Sequence, residues 1–326
     1  MVHALPVLRH LRRAYPQAEI HWWINVELAS LIEGDPDLDR VIHFHRKRWG
    51  NPIHWHELIA SAAFMRRMHY DLVIDLQGLL RSAAFAWLAA GERTVGLEDW
   101  RELAPAFYDQ RIPRGSPGTH AVDWYLEVVR SLGISTSEPF EWMPVKPAAA
   151  ASVRQRWPLE GKRRILFQPG ARWDNKRWPV AHFQKLGEIL AARFPDLHFG
   201  VIGGPDETAL AESIVKTLPV GRSENFAGKT SLGEITELIR GAAVLVTNDT
   251  GPMHIAVAVK TPLVALFGPT DPLRTGPYGQ LGQVLQSTGL ACVPCMKSTC
   301  RHQPWLECLN TLSPETVCSK VAGMLA

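Results

Sequence analysis

A chain of 326 residues is longer than one comfortable hydrophobic core, so two domains of about 150 residues each are expected. With 46% hydrophobic and 21% charged residues its composition is that of a globular protein, and a net charge of +3 is too small to point to nucleic acid. No run reaches the roughly eighteen apolar residues of a membrane span, and the amino terminus lacks the apolar stretch of a secretory signal, which makes the cytoplasm the expected location.

The chain opens MVHALPVLRHLRRAYP, where Val2, Leu5, Leu8 and Leu11 recur at helical spacing and Arg9, Arg12 and Arg13 form the polar complement of an amphipathic helix. EIHWWI (19–24), RVIHF (40–44) and DLVIDL (71–76) read as strands. Between them, HFHRKRWGNPIHWHE packs Arg46, Lys47 and Arg48 among histidines and Trp49 and Trp55. Two readings are open there: a solvated loop whose tryptophans cover a core edge, or a basic aromatic rim facing an anionic sugar-lipid at a membrane surface. SEPFEWMPVKPAAAAS (137–152), with three prolines and an alanine run, is the expected linker between domains at 1–143 and 144–311. Residues 312–326 are expected to form a helix that packs back on the first domain. RRILFQPG (163–170), LHFGVIGG (197–204), AVLVTND (243–249) and PLVALFG (262–268) read as strands, and 179–194 as a helix with Pro179 suited to its first turn. Such alternation implies parallel sheets with right-handed crossovers, and two α/β domains facing each other leave a cleft lined by the carboxyl ends of their strands.

The chemistry concentrates at those strand ends. In AVLVTNDTGPMHIAVAV a buried strand runs into Asn248-Asp249-Thr250-Gly251-Pro252, and 253–259 reads as a short helix. The Thr250 hydroxyl, Gly251 and the free amides of a helix start would cradle phosphate oxygens, with His254 adding a donor from the first turn. The plainer alternative is a strand-to-helix turn with Asp249 as N-cap. LFQPGARWDNKRWP brings Gly170 and Lys176 to a second strand end, where Lys176 is a phosphate contact or merely a surface charge. In VIGGPDE, Gly203 and Gly204 permit close approach and Glu207 is placed to accept hydrogen bonds from sugar or ribose hydroxyls. Ser231 and Glu234 stand at capping-box spacing, so a helix starts there too. Separately, Cys292, Cys295, Cys300 and Cys308 read C-x2-C-x4-C-x7-C, with Cys318 left over. Four clustered thiols suggest a structural Zn or Fe more readily than disulfides, the alternative being reduced, packed cysteines.

NDTGPMHIAVAVKTPLVALFGPTDP, together with QPGARWDNKRWP, VIGGPDE and FAGKTSLGE, closely resembles glycosyltransferase family 9, the ADP-heptose:lipopolysaccharide heptosyltransferases. YDLVIDLQGLLRSA and VGLEDWRELAPAFYDQRI resemble the segments of members that add the first heptose to Kdo. The resemblance implies a GT-B enzyme: α/β, two Rossmann-like domains facing a cleft, donor on the second and acceptor on the first. It assigns Gly170, Lys176, Glu207, Ser231, Leu232, Asp249, Thr250, Gly251 and His254 to the donor, and Gln77, Gly78, Arg81 and His120 to the acceptor. The implied reaction is inverting displacement at the anomeric carbon of ADP-L-glycero-D-manno-heptose by a hydroxyl of Kdo-lipid A, peripheral to the inner membrane on its cytoplasmic side. No cofactor or catalytic metal is implied, and Lys176 assists the leaving diphosphate. Family members begin with a strand, a glycine-bearing loop and Gly-Asp-x-Val-His-x-Leu-Pro; Val2, His3, Leu5 and Pro6 match, and Met1 falls just after the aspartate expected as general base. The expectation is a gene start further upstream, with His3 as the substitute base if the chain begins here. Heptose transfer to another core sugar or a protein, and nucleotide-sugar binding without turnover, stay open; an oxidoreductase is disfavoured because no G-x-G-x-x-G follows a strand.

Overall fold

The computed structural model describes residues 1–158 and 161–326. Two compact units divide the chain, one running from His3 to Trp142 and the other from Met143 to Ala326.

In the first unit, β1 (His21–Asn25) and β2 (Arg40–Phe44) form a parallel pair, and β3 (Leu72–Asp75), β4 (Arg93–Leu97) and β5 (Gln110–Ile112) form a parallel sheet in that order. Its helices are α1 (Leu5–Ala14), the single turn α2 (Val26–Ala29), α3 (Trp55–Arg67), α4 (Leu80–Leu88) and α5 (Ala121–Ser131). Phe44, Trp49, Met65 and Phe85 pack together on one side, Val95, Leu97, Ile112, Trp124 and Val128 on another. The amphipathic opening is α1 as expected, with one correction: Arg9 is not on a polar face but buried. It survives there because Asp35 and Asp37 reach it, and a buried guanidinium demands such partners.

The second unit holds β6 (Arg164–Gln168), β7 (His198–Val201), β8 (Ser223–Asn225), β9 (Val244–Asn248), β10 (Leu263–Phe267) and β11 (Val284–Gln286), all parallel, in the order β11-β10-β9-β6-β7-β8. Counted within the unit this is the doubly wound order 3-2-1-4-5-6, which reverses direction between β6 and β9. The central strands are buried on both faces, which is why they read as unbroken apolar runs. Around the sheet lie α6 (Pro147–Arg156), α7 (Val180–Arg193), α8 (Thr208–Val215), α9 (Leu232–Arg240), α10 (Gly251–Ala258), α11 (Pro272–Thr275), α12 (Glu307–Asn310) and α13 (Pro314–Leu325).

One expectation is corrected here. The linker does not extend to residue 152: Pro147 sits in the first turn of α6 and the alanine run after it, the strongest helix-forming sequence available, continues the helix. The closing helix belongs to the second unit. Val317, Cys318, Val321 and Leu325 of α13 join the second unit's core beside α7, β9 and β10, and the Trp178 indole donates to the Leu312 carbonyl at 2.9 Å just before it.

Helix α6 is fastened to α9 by Glu234, which caps α9 with Ser231 and also accepts from Ser152 at 2.6 Å and Arg156 at 3.2 Å. The Ser152 hydroxyl first, then Ser231 and Arg156, hold the Glu234 carboxyl down at about 2. Stability from these bonds is therefore complete above the ordinary glutamate value of about 4.3 and is lost as the pH falls below it. The wild-type thermal midpoint is expected to exceed that of Glu234→Gln at neutral pH and to converge with it as the pH falls to about 2. A gap that stays constant down to that pH would show that the carboxylate's charge is not what joins the helices.

Candidate active site

The sheet's reversal point is where β6 and β9 lie side by side, and their carboxyl ends carry the chemistry. Asn248, fully buried at the end of β9, stitches the two ends together: its side-chain amide donates to the Pro169 carbonyl at 2.7 Å, and its Oδ1 accepts from the Trp178 amide at 3.0 Å. One residue on, the Asp249 carboxylate is buried and receives both the Lys176 ammonium at 2.6 Å and the Thr270 hydroxyl at 2.7 Å. Lys176 ends a single turn of 3-10 helix (Asp174–Lys176), and its ammonium also stands 4.7 Å from the centre of the Trp173 ring. Thr270 is held from behind, because Gln286 of β11 donates to its carbonyl at 2.8 Å and to that of Gly268 at 3.0 Å.

The plainer alternative, Asp249 as N-cap, does not hold. Thr250, not Asp249, occupies the cap position of α10, and its side chain makes no capping bond; Asp249 is committed to Lys176 and Thr270. The Thr250 hydroxyl is buried without a hydrogen-bond partner, at a helix start whose amides and dipole favour an anion. Across the site Glu207 accepts from the Gly204 amide at 2.8 Å and faces the Gln168 amide at 3.4 Å. Glycine at 170 is what makes room for it: a Cβ there would fall 1.7 Å from Glu207 Oε1. Trp173, Lys176, Glu207, Asp249, Thr250 and Gly251 line one cavity of about 390 Å³. His254, in the first turn of α10, and Ser231 and Leu232, at the start of α9, are not among its walls; the Ser231 hydroxyl is engaged with Glu234.

In the first unit, Gln77 and Gly78 follow β3, and Arg81 lies in the first turn of α4 with its guanidinium 5.3 Å from the centre of the Phe44 ring. A residue that sequence reasoning missed organises this loop. Asp75 is buried and accepts from the Gln77 amide at 2.8 Å, the Gly78 amide at 3.3 Å and the Tyr108 hydroxyl at 2.8 Å. Burial and the neighbouring Asp75 push the Tyr108 phenol far up, so it stays a neutral donor. His120 Nδ1 accepts from the Val122 amide at 3.1 Å as N-cap of α5, and its ring meets that of His3 edge-on at 5.2 Å. In the histidine- and tryptophan-rich segment Trp49 is buried and donates to Glu57 at 3.1 Å, covering a core edge, whereas Trp55 is 54% exposed.

The four clustered cysteines are free thiols that line a second cavity of about 250 Å³. Burial, then Cys300, Cys292 and Cys295, push the Cys308 thiol up to about 11. Among the described residues, no three His, Cys, Asp or Glu side chains are drawn together as metal ligands.

The sequence profile of glycosyltransferase family 9 (heptosyltransferase) matches residues 55–306, which include both cavities' cysteine, lysine and carboxylate residues up to that point. The chain belongs to this family. Lipopolysaccharide heptosyltransferase 1 of Pseudomonas aeruginosa is 30% identical to it over 349 residues, spanning 100% of this chain and 94% of the relative. Lipopolysaccharide heptosyltransferase 1 of Escherichia coli K12 is 28% identical over 296 residues, or 86% and 88% of the two chains. Among solved structures, Escherichia coli heptosyltransferase WaaC with ADP superposes with a TM-score of 0.77 at 26% identity, covering 99% of this chain and 95% of that one. The family 9 chain is thus a glycosyltransferase, and its two Rossmann-like units are those of the GT-B fold.

Proposed function

We propose that the chain transfers L-glycero-D-manno-heptose from ADP-heptose to a Kdo hydroxyl of the lipopolysaccharide inner core, with inversion at the anomeric carbon. The observation that carries this reading is the Lys176–Asp249–Thr270 cluster at the reversal point of the second unit's sheet, beside the unpartnered Thr250 hydroxyl and the start of α10. Similarity to lipopolysaccharide heptosyltransferases 1, and to WaaC solved with ADP and with ADP-2-deoxy-2-fluoro heptose, supports it.

In this mechanism the diphosphate lies against Thr250, Gly251 and the α10 amides, where His254 adds a donor. Lys176, held by Asp249, keeps its remaining N–H groups for the phosphate oxygens and offsets the charge that grows on them as the bond to C1 breaks. Glu207 accepts from donor hydroxyls in the space Gly170 leaves, and Ser231 and Leu232 border the nucleotide at α9. The acceptor sits on Gln77, Gly78, Arg81 and His120 of the first unit, where Asp75 fixes the loop after β3, and His3 is the base for the acceptor's proton. Displacement passes through an oxocarbenium-like state and needs no metal at the reacting centre. A lipid-linked acceptor puts the enzyme at the cytoplasmic face of the inner membrane as a peripheral protein; among the described residues no helix is long and apolar enough to cross it.

The test is incubation of the chain with ADP-heptose and Kdo-lipid A, read by mass spectrometry and NMR of the product. One added heptosyl group of inverted anomeric configuration, with stoichiometric ADP, is expected. Tight ADP-heptose binding without transfer would make it a binding protein, and retention of configuration would remove the single-displacement mechanism.

A further inference from the structure

Heptosyl transfer leaves the cysteine-rich segment unused. Cys292, Cys295 and Cys300 lie between β11 and α12 on chain that forms neither helix nor strand, while Cys308 is set in α12, whose Leu309 is buried in the second unit's core. Three thiols on this irregular segment and one on a helix line the same cavity of about 250 Å³. Two further features of its walls are not those of an apolar packing defect. Asn175 is 3% exposed and its Oδ1 has no hydrogen-bond partner, and Lys297 and Arg301 bring two cations. Four thiolates around a divalent ion carry a net charge of about −2, against which Lys297 and Arg301 stand while the Glu307 carboxylate on the same wall is paired with His302.

We propose that Cys292, Cys295, Cys300 and Cys308 bind one thiophilic divalent ion, zinc or iron, as a tetrahedral tetrathiolate site. Among the described residues the thiols are not gathered at ligand separation, so binding draws the loop cysteines in toward Cys308. The consequence reaches the nucleotide site. The same loop is bonded to the turn that carries Thr270, through the Met296 amide and the Pro269 carbonyl at 2.8 Å, and to the residue before Lys176, through Asn175 Nδ2 and the Lys297 carbonyl at 2.8 Å. A metal-fixed loop therefore braces both partners of Asp249 without touching a ligand there.

The experiment is elemental analysis of full-length protein purified without chelator, followed by removal of the ion and titration with Co2+. About one equivalent of zinc or iron per chain is expected, or, from protein isolated empty, uptake of Co2+ with the intense visible bands of a tetrahedral tetrathiolate complex. The element found distinguishes the two ions. Cys295→Ser with Cys300→Ser is expected to drop metal below about a tenth of an equivalent, while Cys318→Ala, outside the cavity, keeps it. Should the double variant fail to fold, the Co2+ spectrum of the wild type still decides. Wild-type protein with under a tenth of an equivalent of zinc plus iron and no tetrathiolate Co2+ spectrum overturns the site. Neither readout depends on the transfer reaction.

Discussion

Asp249→Asn is expected to weaken ADP binding by about tenfold to a hundredfold, equivalent to roughly 1.4–2.8 kcal/mol, while leaving the fold intact. Electrostatics alone would argue the reverse, because the substitution removes a negative charge next to a diphosphate. The geometry decides for the loss: the carboxylate is buried, and both its strong partners converge on the same oxygen, Lys176 at 2.6 Å and Thr270 at 2.7 Å. Its work is to hold an ammonium, 18% exposed, at the rim of the cavity. An amide keeps the size and an acceptor for Thr270 but holds a cation weakly, so Lys176 moves to its alternatives, the Trp173 ring and solvent. The same reasoning makes the effects of Asp249→Asn and Lys176→Ala non-additive, the double variant binding no worse than Lys176→Ala alone. Calorimetric titration with ADP checks both statements, and Asp249→Asn protein that binds ADP as tightly as wild type would reduce the carboxylate to a structural brace.

Which parts of this arrangement were legible in the sequence follows from how each is stabilised. Strands β6, β7, β9 and β10 are buried on both faces and betray themselves as apolar runs. Strand β8 is Ser-Glu-Asn and carries no apolar residue; it is a strand because its backbone pairs with β7 at the sheet edge, a fact about neighbours rather than side chains. Edge strands β5 (Gln-Arg-Ile) and β11 (Val-Leu-Gln) do carry apolar residues, but three residues are too few to show a period. Gly170, Lys176, Glu207 and Asp249 were visible because strand ends of a parallel sheet collect polar residues, yet the pairing of Lys176 with Asp249, 73 positions apart, exists only once β6 and β9 are adjacent. Thr270 obeys the same logic, standing two residues after the glycine that closes the apolar run of β10. Asp75 was hidden differently: as the last residue of a strand it reads as polar punctuation, and only burial shows that it sets the loop behind it.

Arg9→Ala is expected to destabilise the first unit by about 3–5 kcal/mol, a loss typical of breaking a buried ion pair by removing one partner. Its guanidinium takes Asp35 on both terminal nitrogens at 2.6 and 2.5 Å, Asp37 at 2.5 Å and the Trp142 carbonyl at 3.0 Å. Helix α1, the loop before β2 and the end of the unit's chain thus share one cation. Truncation leaves the Asp35 carboxylate, 4% exposed, with only the Asp37 amide at 3.0 Å among the described residues. The penalty is that stranded charge rather than the worth of the pair, so Arg9→Met with Asp35→Leu, which removes both charges and refills the volume, should recover much of it. Arg13→Ala on the same helix is the control: its partner is an exposed Pro139 carbonyl at 2.9 Å, and a change within about 0.5 kcal/mol is expected. Urea unfolding followed by circular dichroism measures all three, and a loss under about 1 kcal/mol for Arg9→Ala would mean that water reaches Asp35 and the pair is not buried in solution.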